Sequence, residues 1–107
     1  MNTKYELEDL GLAVWVPKEL DHHHADLLRA EVEMLIHIHH VRNLVFDFEE
    51  TEFMDSSGIG VLIGRCRNLG YCNGVVYARH LNGRIEKIFN ASGLGKIIYV
   101  ISEEGKQ

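Results

Sequence analysis

The sequence predicts one α/β domain spanning residues 1–107: a four- to five-stranded, mainly parallel sheet with an N-terminal hairpin and three main helices. Three observations carry this expectation. Apolar runs of strand composition alternate with runs of helical period along most of the chain. A single proline and no low-complexity stretch leave no room for a linker. The 107 residues, 46% of them apolar, are enough for one core and too few for two.

Each element has its own signal. Tyr5 to Leu10 and Leu12 to Val16 read as a hairpin joined at Gly11, with Leu12, Val14 and Val16 alternating toward one face. Asp21 is a good N-cap for a helix from His22 to about His40, whose apolar face is Ala25, Leu28, Val32, Leu35 and Ile36. The strand near Asn43 to Phe48 holds Leu44-Val45-Phe46-Asp47-Phe48, the composition of a strand buried on both faces. A second helix, from Ser57 to about Leu69, carries Ile59, Leu62, Ile63, Cys66 and Leu69 on one stripe. Gly74 opens a strand over Val75 to Ala78. Asn82 caps a third helix bearing Leu81, Ile85, Ile88 and Phe89, and Gly93 ends it as a left-handed cap. Ile97 to Ile101 make the last strand. Strands alternating with helices imply right-handed crossovers. Gly60 and Gly64 are expected to let the second helix approach the sheet, so that a larger side chain at Gly64 costs stability.

The chemistry gathers at Asp55-Ser56-Ser57-Gly58-Ile59-Gly60, where a strand gives way to a helix. A serine at a helix start can accept from an unpaired backbone N–H, but one cap needs only one hydroxyl. The other is expected to face solvent near the free N–H groups and the positive end of the helix dipole, a place that tolerates a phosphate. Three functions fit: binding a phosphate or nucleotide ligand, acting as a nucleophile, or accepting a phosphoryl group. Against a nucleotide pocket, Glu49, Glu50, Glu52 and Asp55 crowd the approach, no Lys or Arg lies between Arg42 and Arg65, and the Gly-Lys-Ser/Thr ending of a phosphate loop is missing. Against a hydrolase elbow, the first glycine of Gly-x-Ser-x-Gly is missing, with Asp55 and not glycine in the approach to the serines.

Phe53-Met54-Asp55-Ser56-Ser57-Gly58-Ile59-Gly60-Val61, continuing through Leu62-Ile63-Gly64-Arg65, resembles the signature of bacterial anti-sigma factor antagonists, which are single STAS domains. Glu19-Leu20-Asp21-His22-His23 resembles the loop and helix start after the family's second strand, and Ser92-Gly93-Leu94-Gly95-Lys96-Ile97-Ile98 its late helix-to-strand turn. The Ser-Ser pair is similar to the sporulation branch, which antagonises anti-sigma F factor; a related branch carries Ser-Thr. The resemblance implies that Ser56 is phosphorylated by an anti-sigma factor serine kinase that brings its own ATP, with Ser57 as the alternative acceptor. It also implies that binding, not catalysis, is the output and that the chain needs no cofactor. Two departures stand out: Lys18 replaces a glycine usual before Glu-Leu-Asp, and the sequence ends soon after the last strand, so the usual C-terminal helix is not expected.

Both the Asp21 and the Asp55 loops fall at carboxyl ends of strands, where open α/β sheets gather functional residues. Asp21, His22, Asp55, Ser56, Ser57, Gly58 and Ile59 are therefore the expected partner-docking face. A formal charge of −5 disfavours a nucleic-acid backbone as partner and suits a basic protein surface. No apolar run approaches a membrane span, and Met1 to Glu6 lack a signal peptide's apolar stretch, so a cytoplasmic protein is expected, as a monomer or weak homodimer. Cys66 and Cys72 form no Cys-x-x-Cys pair and are expected as inert reduced thiols. His22-His23-His24 and His37-His39-His40 sit in the first and last turns of one helix, roughly 22 Å apart at 1.5 Å per residue. They cannot share a metal, and no metal site is expected. Asp47, a carboxylate at a buried strand's end, is read as accepting loop N–H groups rather than as catalytic.

Overall fold

The structure, a computed structural model, describes residues 3–71 and 73–101. Cys72 and residues 102–107, where the expectations of a second reduced thiol and of an absent C-terminal helix fall, lie outside the described residues. The elements run β1 (Tyr5–Leu7), β2 (Leu12–Trp15), β3 (Glu19–Leu20), α1 (His22–His39), β4 (Leu44–Asp47), β5 (Phe53–Met54), α2 (Ser56–Tyr71), β6 (Val76–Arg79), α3 (Gly83–Ser92), a 3-10 turn (Leu94–Lys96) and β7 (Tyr99–Ile101).

The main sheet has five strands in the order β1-β2-β4-β6-β7. Only β1 is antiparallel, joined to β2 by the expected hairpin. It is shorter than expected because Glu8 and Gly11 exchange backbone hydrogen bonds of 3.0 and 3.1 Å, which turns the chain before Leu10. From β2 onward each crossover moves one strand in the same direction, so right-handed connections deposit all three helices on one face. The alternating strand residues Leu12, Val14, Leu44, Phe46, Val76 and Ala78 meet Ala25, Leu28, Val32 and Leu35 of α1, Leu62 of α2, and Ile85 and Phe89 of α3 in one core. Fully burying each of these larger side chains contributes about 1.5–3 kcal/mol. The other face carries Trp15, Asp47, Tyr77, Arg79 and Tyr99, aligned across β2, β4, β6 and β7 by register.

Helix ends follow local chemistry. Asn82 Oδ1 accepts from the Ile85 N–H at 2.9 Å, and Gly93 closes α3 at φ 83°, as its lack of a Cβ allows. The last strand starts two residues late because the Ile97 and Ile98 N–H groups both bond to the Leu94 carbonyl, which keeps that stretch in a tight turn.

A second, two-stranded sheet was not legible in the sequence. β3 and β5 pair in parallel, Glu19 with Phe53 and Leu20 with Met54. The Asp55 N–H bonds to the Leu20 carbonyl at 3.3 Å and the Phe53 N–H to the Lys18 carbonyl at 3.1 Å. Because β3 runs directly into α1 and β5 into α2, this pairing sets the two helix starts beside each other.

The expected packing role of Gly60 and Gly64 is corrected by the structure. A Cβ at either would meet nothing within 4 Å. Gly58 makes the close approach instead: a Cβ there would lie 2.6 Å from Leu20 Cδ2, 2.7 Å from Leu20 Cγ and 2.9 Å from Met54 Cγ. Gly58→Ala is therefore expected to destabilise by about 1–3 kcal/mol through overpacking. Gly64→Ala should stabilise by about 0.5–1 kcal/mol, since a helical glycine only loses backbone entropy there. Urea denaturation of the two variants checks this order, and the reverse order would contradict the packing described.

Candidate functional site

The two loops expected to form one face do meet. His22 Nδ1 lies 3.4 Å from the Ser57 hydroxyl, across 35 positions of sequence. Each helix start is closed by an aspartate. Asp21 Oδ1 accepts from the His24 N–H at 2.9 Å and contacts His24 Nδ1 at 2.8 Å. The His24 N–H, then the His24 side chain, hold the Asp21 carboxyl below its ordinary pKa.

At α2 the capping expectation is corrected. Neither serine caps the helix: Asp55 Oδ1 accepts from the Ser57 N–H at 2.9 Å and from the Gly58 N–H at 3.2 Å. The Ile59 N–H is taken by the Asp55 carbonyl at 3.1 Å. Asp55 thus fills the place a phosphate ligand would use and puts a negative charge in it, which opposes binding of a free phosphate or nucleotide there. Both hydroxyls are released from structural duty. Ser56 is exposed and its hydroxyl has no hydrogen-bond partner among the described residues; Ser57 is half-buried against His22.

The remaining expected docking residues divide by depth. Asp21 and Asp55 are half-buried and His22 is exposed. Gly58 is buried, and Ile59 is half-buried and packs on the core, so these two shape the face from beneath more than they offer contact surface. Sequence reasoning missed Phe53, which is 46% exposed on β5, two residues before Asp55. An aromatic residue in a run of Glu and Asp was the available signal. Lys18, 4.0 Å from Glu52, borders the same strand pair.

Asp47 lies at the carboxyl end of β4 and is fully buried. Its Oδ2 receives Arg79 Nε at 2.8 Å and lies 2.9 Å from His80 Nδ1, while its Oδ1 accepts from the Glu49 N–H at 2.8 Å. Arg79 also grips both oxygens of Glu8, at 2.9 and 3.0 Å. Burial by itself would raise the Asp47 pKa; Arg79, the Glu49 N–H and His80 together outweigh it and hold the carboxyl low. Glu8 is held low chiefly by its hydrogen bonds to Arg79. Ligand atoms of Asp47, Glu49 and His80 lie within 4.8 Å of one another, a grouping with metal-like spacing. The Asp47 oxygens, however, are already occupied by these donors, and the guanidinium at 2.8 Å opposes a second cation. Asp47 serves to tie β4 to β6 and, through Arg79, to the end of β1. Cys66 is half-buried, and burial pushes its thiol up to about 11, which leaves it protonated and unreactive at neutral pH.

The model of the STAS domain family matches residues 3–106. The chain belongs to the STAS domain family. This STAS domain is 31% identical over 106 residues to an anti-sigma F factor antagonist of Paenibacillus polymyxa, an alignment covering 97% of this chain and 91% of the relative. It is 35% identical over 86 residues to an anti-sigma F factor antagonist of Lysinibacillus sphaericus, covering 80% of this chain and 74% of the relative. Among solved structures it is similar to the anti-sigma factor antagonist SpoIIAA in its unphosphorylated form, at 30% identity and a TM-score of 0.79 over 97% of this chain and 91% of that one. The phosphorylated form of the Bacillus SpoIIAA superposes with a TM-score of 0.72 at 30% identity, over 97% of this chain and 95% of that one. No helix among the described residues is long and apolar enough to cross a membrane.

Two outcomes follow from this geometry. Asp55→Ala should cost about 1 kcal/mol through loss of the cap, whereas Ser56→Ala, which removes a hydroxyl without a partner among the described residues, should leave the thermal midpoint unchanged; differential scanning calorimetry separates them. Arg79→Met should lose about 3–5 kcal/mol at pH 7 by stranding buried Asp47. Wild-type Asp47 and Glu8 have depressed folded pKa values, so their contribution is present above the ordinary carboxylate range and is lost as pH falls through the depressed values. The gap between wild type and Arg79→Met should therefore narrow in acid, as urea midpoints at pH 7, 5 and 3 will register.

Proposed function

We propose that this STAS domain is an anti-sigma factor antagonist whose docking face, formed by Asp21, His22, Asp55, Ser56 and Ser57 over Gly58 and Ile59, binds an anti-sigma factor serine kinase and releases its sigma factor. Phosphorylation of Ser56 turns the activity off. The observation that carries the reading is Ser56 itself, exposed, without a hydrogen-bond partner for its hydroxyl among the described residues, and set at the start of α2 beside the α1 loop. Its neighbour Ser57 is half-buried and engaged with His22, which makes it the second choice as acceptor. The names of the relatives, and the existence of a phosphorylated state of one of them, support the same reading.

The reaction belongs to the partner. The γ-phosphoryl group leaves ATP as the bond to the β-phosphate breaks, ADP departs, and a bond forms to Ser56 Oγ while the hydroxyl proton passes to a base of the kinase. This chain supplies only the hydroxyl. The added charge of about −1.5 to −2 falls beside the Asp55 carboxylate and on a surface that had docked without it. A loss of ~2.8 kcal/mol at the interface weakens binding about a hundredfold, enough to reverse a competition between two partners. The protein acts in the cytoplasm, as a monomer or weak homodimer, without cofactor, and regulates transcription in a sporulation-type programme.

The test is intact-mass analysis after incubation with ATP and an anti-sigma factor serine kinase. Wild type should gain one phosphate and Ser56→Ala none, and Ser56→Asp should bind the kinase about a hundredfold more weakly than Ser56→Ala. A Ser56→Ala protein phosphorylated at full rate moves the acceptor to Ser57. No phosphate on either, with the kinase active on another substrate, sinks the reading.

A further inference from the structure

The phosphoryl group placed on Ser56 meets an unusual helix start. In most such sites free backbone N–H groups receive the phosphate oxygens, but here Asp55 already holds the Ser57 and Gly58 N–H groups and adds its own negative charge. The side chain with a cationic form that contacts the serine pair is His22, 3.4 Å from the Ser57 hydroxyl. Its other ring nitrogen, Nε2, lies 3.7 Å from Asp26 Oδ2, one helical turn on. With a proton on Nε2 facing Asp26, Nδ1 of the neutral ring accepts from the Ser57 hydroxyl; the imidazolium has donors at both ends. The ring is 82% exposed and the Ser56 hydroxyl has no hydrogen-bond partner among the described residues, which leaves room for the two to turn toward each other.

We propose that His22 reads the phosphorylation state: as an imidazolium it keeps Nε2 facing Asp26 and donates Nδ1–H to the phosphoryl group on Ser56, so that protonation of His22 and phosphorylation of Ser56 favour one another. The charged and titratable groups near it in the fold are Asp21, His23, His24 and Asp26 on its own helix and cap, Arg29 at 3.6 Å from Asp26 Oδ1, Asp55 at the cap of α2, and Glu19 on the β3 strand packed beside α1. The phosphoryl group is what changes. The sign follows from linkage: the phosphorylated form binds the His22 proton more tightly, so falling pH through the histidine range favours the phosphorylated form over the unmodified one, and rising pH reverses this. The inference rests on Ser56 being the modified residue of the proposed switch.

The experiment installs phosphoserine at position 56 during synthesis, which removes any dependence on the kinase, and follows the histidine ring protons by NMR from pH 5 to 8.5. His22, assigned by its disappearance in His22→Gln, should show a titration midpoint about half to one pH unit higher in the phosphorylated protein than in the unmodified one. His37, at the far end of α1, should not move. The phosphorus resonance should in turn report a second phosphate ionisation at lower pH in wild type than in His22→Gln, with both proteins giving the same amide spectrum away from the site. A His22 midpoint that moves no more than that of His37, or a phosphate ionisation indifferent to His22→Gln, overturns the inference. Failure of the kinase to modify Ser56 would instead sink the functional reading and leave the His22 result standing as chemistry of the installed phosphate.

Discussion

The pairing of Glu19-Leu20 with Phe53-Met54 is the constraint on which the proposed docking face depends. Two residues on each side would be far too few to form a sheet alone, and the strand pair persists because it is clamped on both sides. Leu20 and Met54 are buried beneath it, and Gly58 lets the first turn of α2 settle on their side chains. The backbone continues the clamp, with Lys18 and Leu20 carbonyls accepting from Glu52, Phe53 and Asp55. Since each strand leads straight into a helix, a shift in this register would carry His22 away from Ser57 without unfolding either helix.

The same arrangement explains why two serines stand where one would cap. Aspartate is as good a cap as serine and brings a charge. By assigning the cap to Asp55, the chain frees Ser56 to face solvent and Ser57 to meet His22, and it excludes stray anions from the helix start. A free phosphate meets an occupied, negative site; a phosphoryl group delivered covalently does not have to compete for it. The loops are short, so under the proposed switch a charge added at Ser56 would act on a surface already in place.

Away from that face, the fold is held by a conventional apolar core on one side of the sheet and by a polar knot on the other. Asp47 is tolerated at full burial because Arg79, His80 and the Glu49 N–H satisfy it, and Arg79 is itself held by Glu8 from the first hairpin. Asp47 and Arg79 of this knot lie at the carboxyl end of the parallel strands, where the Asp21 and Asp55 loops also emerge, while Glu8 reaches them from beyond the end of β1. The knot gives the loops a rigid base while standing apart from their chemistry.

Helices α1 and α3, their caps at Asp21, Asn82 and Gly93, the hairpin and the apolar strand β4 were legible in the sequence because capping, periodicity and turn chemistry are local: each is decided by residues within a few positions of one another. The motif at Asp55-Ser56-Ser57 and its resemblance to STAS antagonists were legible for the same reason. What only the tertiary structure decided are the contacts between distant segments. The β3–β5 pair is too short to leave a period, Gly58 rather than Gly64 touches a neighbour because of where Leu20 sits, and the choice between Asp55 and the serines as cap turns on a loop geometry set by that pair. His22 and Ser57, 35 positions apart, are partners only because a parallel register laid their helices side by side; no pattern along the chain encodes a distance across it.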